Sequence, residues 1–255
     1  MTVLVTGVAG RVAGMLLPYL ADLPLRLTDR VAPPELPGVE TVRGELTAPG
    51  FAPSVLDGVS AVVHLAAVPH PGTSWDELVG PNLAGIGALL TAAAMHRTPR
   101  LVLASSVHAM GGHLSAGRVP IDESWAPAPC CPYGATKAFA EAAGRAHAHR
   151  TGASVVSLRL GAVQPEPFTA GLQPTWLGPD DLGQLVRRAL TTDVGSGVYH
   201  GVSAGSTSWS IDRATAELGY RPVLNAASYP VDDDESTSLC QPEPGPAGSP
   251  AGRHH

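Results

Sequence analysis

Tyr133 and Lys137 stand four residues apart in the segment Tyr133-Gly-Ala-Thr-Lys137, the separation that brings two side chains onto one face of an α-helix. A phenol with an ordinary pKa of about 10 is too weakly acidic to serve as a base at neutral pH. An adjacent ammonium lowers that value by stabilising the phenolate. The spacing therefore predicts a phenol tuned for proton transfer by its lysine neighbour; a surface Tyr–Lys pair is the plain alternative. Composition bears on the choice, because of 16 basic residues 15 are arginine and only Lys137 is lysine. In a chain rich in Gly (29) and Pro (25), whose basic positions have gone over to arginine, the surviving lysine marks a place where a compact ammonium with three rotatable donors is needed. Upstream, Ser105-Ser106 closes an apolar run, and the Ser106 hydroxyl is expected to hold a substrate oxygen and turn it toward Tyr133.

A second constellation lies at the start of the chain. Thr6-Gly7-Val8-Ala9-Gly10-Arg11-Val12-Ala13-Gly14 separates an apolar strand from a periodic helix. Gly7 suits the tight turn, and Gly10 lets the backbone approach a pyrophosphate held by the amides of Ala9, Arg11 and Val12 at the helix start. The third small position is Ala13 rather than glycine, which still allows helix and sheet to pack closely. Asp29 follows Gly7 at the end of the next strand, where a carboxylate accepts from both ribose hydroxyls and repels a 2′-phosphate. NAD is therefore the expected cofactor, with Arg30 the residue able to hold a 2′-phosphate instead.

The elements that must position these groups are legible as apolar runs. Residues 2–6, 25–28, 39–42, 61–65, 101–104 and 154–160 read as strands without polar alternation, and helical segments fall between them at about 82–96 and 132–150. Continuously apolar strands alternating with helices predict an α/β fold of Rossmann type, a doubly wound parallel sheet covered on both faces. We place the dinucleotide-binding domain at 1–161, a small C-terminal substrate-binding lobe at 162–230, and a disordered tail from 231, where acidic, Pro, Gly and Ser residues cannot bury apolar area. A helix from Pro179 to Leu190, a strand at 197–202 and a helix around 211–218 are expected within the lobe.

Bulk properties narrow the function. Hydrophobic residues make up 44% and charged residues 15%, with a net charge of -6, so a basic nucleic-acid surface is not expected. Uninterrupted apolar runs fall short of the ~20 residues of a membrane span, and Met1–Gly7 lacks a basic leader region. Three cysteines, Cys130 and Cys131 adjacent, do not make a disulfide framework; inert thiols are the first reading of the pair and redox activity the second. Together these predict a cytoplasmic protein acting on a small molecule. His64 and His108, on different strand ends and without a carboxylate partner, give no reason to expect a metal. Trp176 reads equally as a pocket wall or as core.

With these motifs in place, the chain resembles the extended short-chain dehydrogenase/reductase family, the NAD-dependent epimerase/dehydratase group. The likeness extends over roughly residues 1–225 and adds Glu45-Leu46, His64-Leu65-Ala66-Ala67, Asn82 and Leu218-Gly219-Tyr220-Arg221-Pro222 to the features above. The resemblance implies that Glu45 and Leu46 lie beside the adenine, that Leu65, Ala66 and Ala67 line the cofactor's path, and that Asn82 supports the central helix. It also implies that Lys137 holds the nicotinamide ribose, and that helices 82–96 and 133–150 pair in a homodimer.

Within the family, Ala104–His108 with Gly111, Leu160–Pro167 and Thr175–Asp181 are similar to uronate dehydrogenases, which oxidise the anomeric carbon of a hexuronic acid. The polar groups that this subfamily uses are replaced: its carboxylate-binding arginine falls on Gly171, and serine, asparagine and serine positions fall on Pro69, Val107 and Ala162. His108 remains. The expected activity is hydride transfer between NAD and a secondary alcohol or ketone of a small sugar-like, polyol or cyclic metabolite lacking that carboxylate. A sugar-nucleotide epimerase with tightly bound NAD is the alternative enzyme, and a non-catalytic dinucleotide sensor the alternative of another class; sensors typically lose the Tyr–Lys pair.

Overall fold

The computed structural model describes residues 2–231, and the tail expected to be disordered lies, from residue 232 on, outside the described residues. Its centre is a seven-stranded parallel sheet. Strands β1 (Val3–Thr6), β2 (Leu25–Asp29), β3 (Glu40–Arg43), β4 (Ala61–His64), β5 (Arg100–Ser106) and β6 (Ser154–Leu160) are joined by the later β9 (Ser196–Gly201), in the order β3-β2-β1-β4-β5-β6-β9. All pairings are parallel, with Val5 opposite both Leu27 and Val63 and Ser106 opposite Leu160.

The lack of polar alternation has a direct structural meaning: successive side chains feed two separate cores. Val3, Val5, Val63, Val102 and Val156 pack with α1 (Arg11–Leu16) and the later helix α7 (Pro179–Thr191). Leu4, Val62, Leu101, Leu103 and Val155 pack on the other face with α2 (Phe51–Leu56) and the helices of the middle segment. A strand buried on both faces has no solvent side to mark with polar residues.

That middle segment is one continuous helical rod: α3 (Trp75–Leu78), a wide turn at Val79–Ala84 containing Pro81, and α4 (Gly85–Met95). Ser74 and Glu77 close its start with reciprocal hydrogen bonds. By length and composition Trp75–Met95 is apolar enough to cross a membrane. This revises the sequence count, which stopped each run at an intervening polar or turn residue. Here Ile86, Leu89, Leu90 and Ala93 are buried in the core. After β5 come a short turn at Val107–Ala109, α5 (Gly111–Ser115) and the 20-residue α6 (Pro132–Thr151), ended by Gly152 at φ +74°.

The proposed domain boundary at 161 does not follow the sheet. Helix α7 and strand β9 return to it, β9 pairing along β6, so residues 179–201 belong to the main body. What stands apart from the sheet is smaller: the two-stranded pair β7 (Ala162–Val163) and β8 (Trp176–Leu177), and the 202–231 segment, anchored where Val202 and Trp209 pack on Val107, Met110 and Ile121.

Candidate functional site

The chain runs outward from β1 to β3 on one side and from β4 to β9 on the other, so the strand order reverses between β1 and β4. Loops part at such a point and leave a crevice beyond the strand ends. A cleft of about 910 Å3 lies there, within the range of small-molecule and cofactor sites.

Its first half is built from the glycine turn and the end of β2. Gly7 has φ +78°, and a Cβ on it would strike the backbone of Ala66; both turn geometry and the approach of the β4 loop require glycine here. Ala9, Gly10, Arg11 and Val12 line the cleft, as do Asp29, Arg30, Glu45, Leu46, Leu65, Ala66 and Ala67. The Asp29 carboxylate is held at the rim by the amide of Ala9 (3.0 Å) and that of Val31 (3.1 Å). With one N–H on each oxygen, lone pairs remain for hydroxyl donors. A chamber beginning at a fixed carboxylate, floored by a glycine turn and ending at a phenol fits a dinucleotide.

The second half holds the chemistry. Ser106, Tyr133, Lys137 and His108 all line the same cleft. The rotation of α6 brings Tyr133 and Lys137 to one face, with the Lys137 Nζ 5.6 Å from the phenol ring centroid and donating to the Ala104 carbonyl at 2.8 Å. Tyr133 shares a hydrogen bond with Ser106, whose hydroxyl also accepts from the His108 amide (3.2 Å). The His108 ring stands edge-on to that of Tyr133, centroids 5.6 Å apart. Helix and loop approach closely because residue 134 is glycine: a Cβ there would collide with the His108 carbonyl.

One expectation is corrected. Lys137 was to lower the phenol's pKa, yet burial pushes Tyr133 up to about 12, the Ser106 hydrogen bond pulling it down and Cys131 adding to the rise. The ammonium faces the ring and a carbonyl, and is itself costly to bury: desolvation lowers Lys137 to about 8. In the protein without cofactor the phenol is therefore protonated at neutral pH.

Beneath these residues lies a buried polar layer that sequence reading missed. Glu141, one further turn along α6 from Lys137, is fully buried and receives two hydrogen bonds from Arg159 at 2.9 Å and one from Ser105 at 2.6 Å. Arg159 also donates to the Glu123 carbonyl (3.2 Å). The Glu123 carboxylate accepts from the amides of His200 (2.8 Å) and Arg213 (2.7 Å), and burial raises its pKa to about 7 against the pull of those amides. The layer ties α6, β5, β6 and the 202–231 segment together under the site. Its signal was Glu141 at the i+4 position after Lys137, together with an arginine among the valines and leucines of β6.

Other predicted residues fall elsewhere. Asn82 does not line the cleft; its side-chain amide grips the Val68 backbone (2.8 and 3.1 Å) and the Thr136 hydroxyl (3.1 Å), and so positions α6 rather than reaching a ligand. Trp176 is core, 1% exposed, its indole N–H donating to the Gln164 carbonyl at 2.9 Å. His64 is buried, bonded to the Thr6 hydroxyl at 2.8 Å, its pKa dropped to about 3 by desolvation and then by the Lys137 charge. Of the four replaced polar positions, Pro69 and Ala162 line the cleft, whereas Gly171 and Val107 do not. His70, Gln164 and Leu172 line it too. Gln164 lies in a segment singled out for its resemblance, but its type alone did not assign it a place.

Known proteins resemble this chain in sequence and in fold. The model of the family described as NAD dependent epimerase/dehydratase matches residues 3–172. The uronate dehydrogenase of Pseudomonas putida is 32% identical over 91% of this chain and 91% of its own length. The NAD-dependent glucose-6-phosphate dehydrogenase of Haloferax volcanii is 31% identical over 89% of this chain and 95% of its own. The crystal structure of uronate dehydrogenase from Agrobacterium tumefaciens superposes with a TM-score of 0.82 at 28% identity, covering 89% of this chain and 86% of that one; a variant of it is complexed with NAD.

Proposed function

The chain belongs to the NAD dependent epimerase/dehydratase family, and from that premise we propose that it moves hydride between NAD and an uncharged sugar, polyol or cyclic alcohol. It is an NAD-dependent oxidoreductase on a uronate-dehydrogenase-like scaffold. The observation that carries the substrate reading is the distribution of charge along the cleft. Among the described residues lining it, the guanidinium groups are Arg11 and Arg30, both at the glycine-turn end, and Lys137 is turned to Ala104. The same cleft is also lined by Pro69, His70, Ala162 and Gln164, and by His108 beside Ser106 and Tyr133. These present imidazole, amide and small apolar surface, with no guanidinium or lysine ammonium to pair a carboxylate or phosphate. Of the arginines that could replace a lost carboxylate ligand, Arg118 does not line the cleft and Arg11 lines it at the glycine turn.

NAD, when bound, supplies the hydride acceptor. Asp29 accepts from its ribose hydroxyls, Ser106 orients the substrate oxygen, and Tyr133 exchanges that oxygen's proton. Lys137 fixes the floor of the site through Ala104 and places a positive charge under the phenol, and His108 meets a substrate oxygen from the same loop as Ser106.

Steady-state formation of NADH with neutral aldoses, cyclic polyols, hexuronates and sugar phosphates tests the reading. Turnover confined to the neutral compounds is expected. Efficient oxidation of glucuronate or galacturonate, with kcat/KM around 10⁴ M⁻¹s⁻¹ or above, refutes it.

We also assign a homodimer to the outer face of the helices at 82–96 and 133–150. Met95 at the end of the first, 68% exposed, and Phe139 in the second leave apolar side chains open to solvent, and exposed apolar groups favour burial against a second copy. A particle of 26.1 kDa by light scattering at micromolar concentration refutes the dimer.

A further inference from the structure

The fold gathers three soft ligand atoms at the rim of the catalytic cleft. His108 Nδ1 lies 3.4 Å from the Cys130 Sγ and 3.7 Å from the Cys131 Sγ, and the three atoms lie within 4.8 Å of one another. A tetrahedral zinc ion, with bonds of about 2.3 Å to sulfur and about 2.0–2.1 Å to nitrogen, sets its ligands about 3.5 Å (S···N) and about 3.8 Å (S···S) apart. The observed nitrogen–sulfur separations bracket the first of these.

The grouping comes from the backbone, not from chance rotamers. The Cys130 amide donates to the His108 carbonyl at 3.2 Å, pinning the turn after β5 to the entry of α6. Gly134 and Gly111 supply the room, since a Cβ on the first would strike the His108 carbonyl and one on the second the Cys130 side chain. The Cys131 Sγ accepts from the Gly134 amide (3.3 Å) at the start of the 20-residue α6. All three residues are half-buried, open enough for an ion to reach them.

We propose that His108, Cys130 and Cys131 form a three-ligand site for a soft divalent cation of the zinc type, and that its occupancy restrains substrate access. Two thiolates and an imidazole select such an ion over magnesium or calcium, which prefer oxygen. His108 is the link to catalysis: its ring lines the cleft and stands edge-on to Tyr133. An ion on Nδ1 locks that ring in one orientation and one tautomer, so it can no longer adjust to the substrate.

The test reads binding first and turnover second, so it is independent of which substrate the enzyme takes. Titration of the reduced, full-length protein with Co²⁺ is expected to give a thiolate-to-cobalt charge-transfer absorption saturating at one equivalent and displaced by Zn²⁺. Cys130→Ser and Cys131→Ser should each weaken binding by at least about tenfold; Cys240→Ser, a cysteine outside the described residues, should leave it intact. Serine at 131 retains an acceptor for the Gly134 amide, so that variant remains informative if the first folds poorly. Micromolar Zn²⁺ should inhibit the wild-type enzyme and lose that effect in both variants. No charge-transfer band, a band undiminished by either serine, or one removed by Cys240→Ser overturns the proposal.

Discussion

Lys137→Met should leave the cofactor-free protein about as stable at neutral pH or up to about 2 kcal/mol more stable, and should change how stability depends on pH. The ammonium is buried, and desolvation lowers its pKa from 10.5 to about 8. At about 1.4 kcal/mol per pH unit, that fall corresponds to about 3 kcal/mol of destabilisation whenever lysine is charged in both states, below about pH 8. Between pH 8 and 10.5 the unfolded chain binds the proton more tightly than the folded one, so folding stability rises with pH through that window. Above it the cost is gone. Methionine keeps the length without the charge, but leaves the Ala104 carbonyl without its 2.8 Å donor, a loss of about 1–3 kcal/mol. At pH 7 the two nearly offset, with a net gain of at most about 2 kcal/mol for the variant. At pH 10 to 10.5 less than about 1 kcal/mol of the desolvation cost remains, the carbonyl penalty dominates, and the variant is the less stable protein. Urea unfolding of both proteins without NAD at pH 7 and pH 10 measures the difference, in which all other titrating groups cancel. A wild-type-minus-variant difference that does not change sign or size with pH would show that Lys137 is not paying a desolvation cost, and the reasoning fails.

Tyr133→Phe should lower kcat by about 10²–10⁴-fold with NAD affinity by calorimetry unchanged; retained turnover would remove Tyr133 from the proton path. Lys137→Arg should be nearly as damaging despite its charge, because a guanidinium does not fit the buried approach to Ala104; near wild-type activity would make the lone lysine a coincidence of composition. Asp29→Ala should narrow the preference for NAD over NADP, measured as a ratio of kcat/KM, and an unchanged ratio would point to Arg30 as the determinant. Arg159→Leu leaves the Glu141 carboxylate buried without its partner and should cost about 3–5 kcal/mol in urea unfolding, whereas the Arg159→Leu, Glu141→Leu double variant should recover much of it. Equal losses in single and double variants would argue against an uncompensated charge as the cause.

Much of the cofactor half was legible in the residues themselves, because local sequence dictates it. A glycine at positive φ, an apolar strand before it and a carboxylate at the end of the next strand are short-range requirements, and Gly7, Gly10 and Asp29 lie where the pattern placed them. Strands buried on both faces carry an unmistakable continuous apolar signature, and Ser154–Leu160 matches to the residue. The helical spacing of Tyr133 and Lys137 likewise placed both on one face of α6. Tertiary structure alone decided the rest, since burial and long-range contact have no local code. It returned Ser196–Gly201 to the main sheet through pairing with β6, a partner some 40 residues earlier. It put Trp176 in the core and Asn82 behind the cleft, although their types suit a binding site equally well. It raised the Tyr133 pKa, because the desolvation that the whole fold imposes is the largest influence on the phenol. And it set His108 beside Cys130 and Cys131, more than 20 residues away, because two glycines and one backbone hydrogen bond draw those segments together.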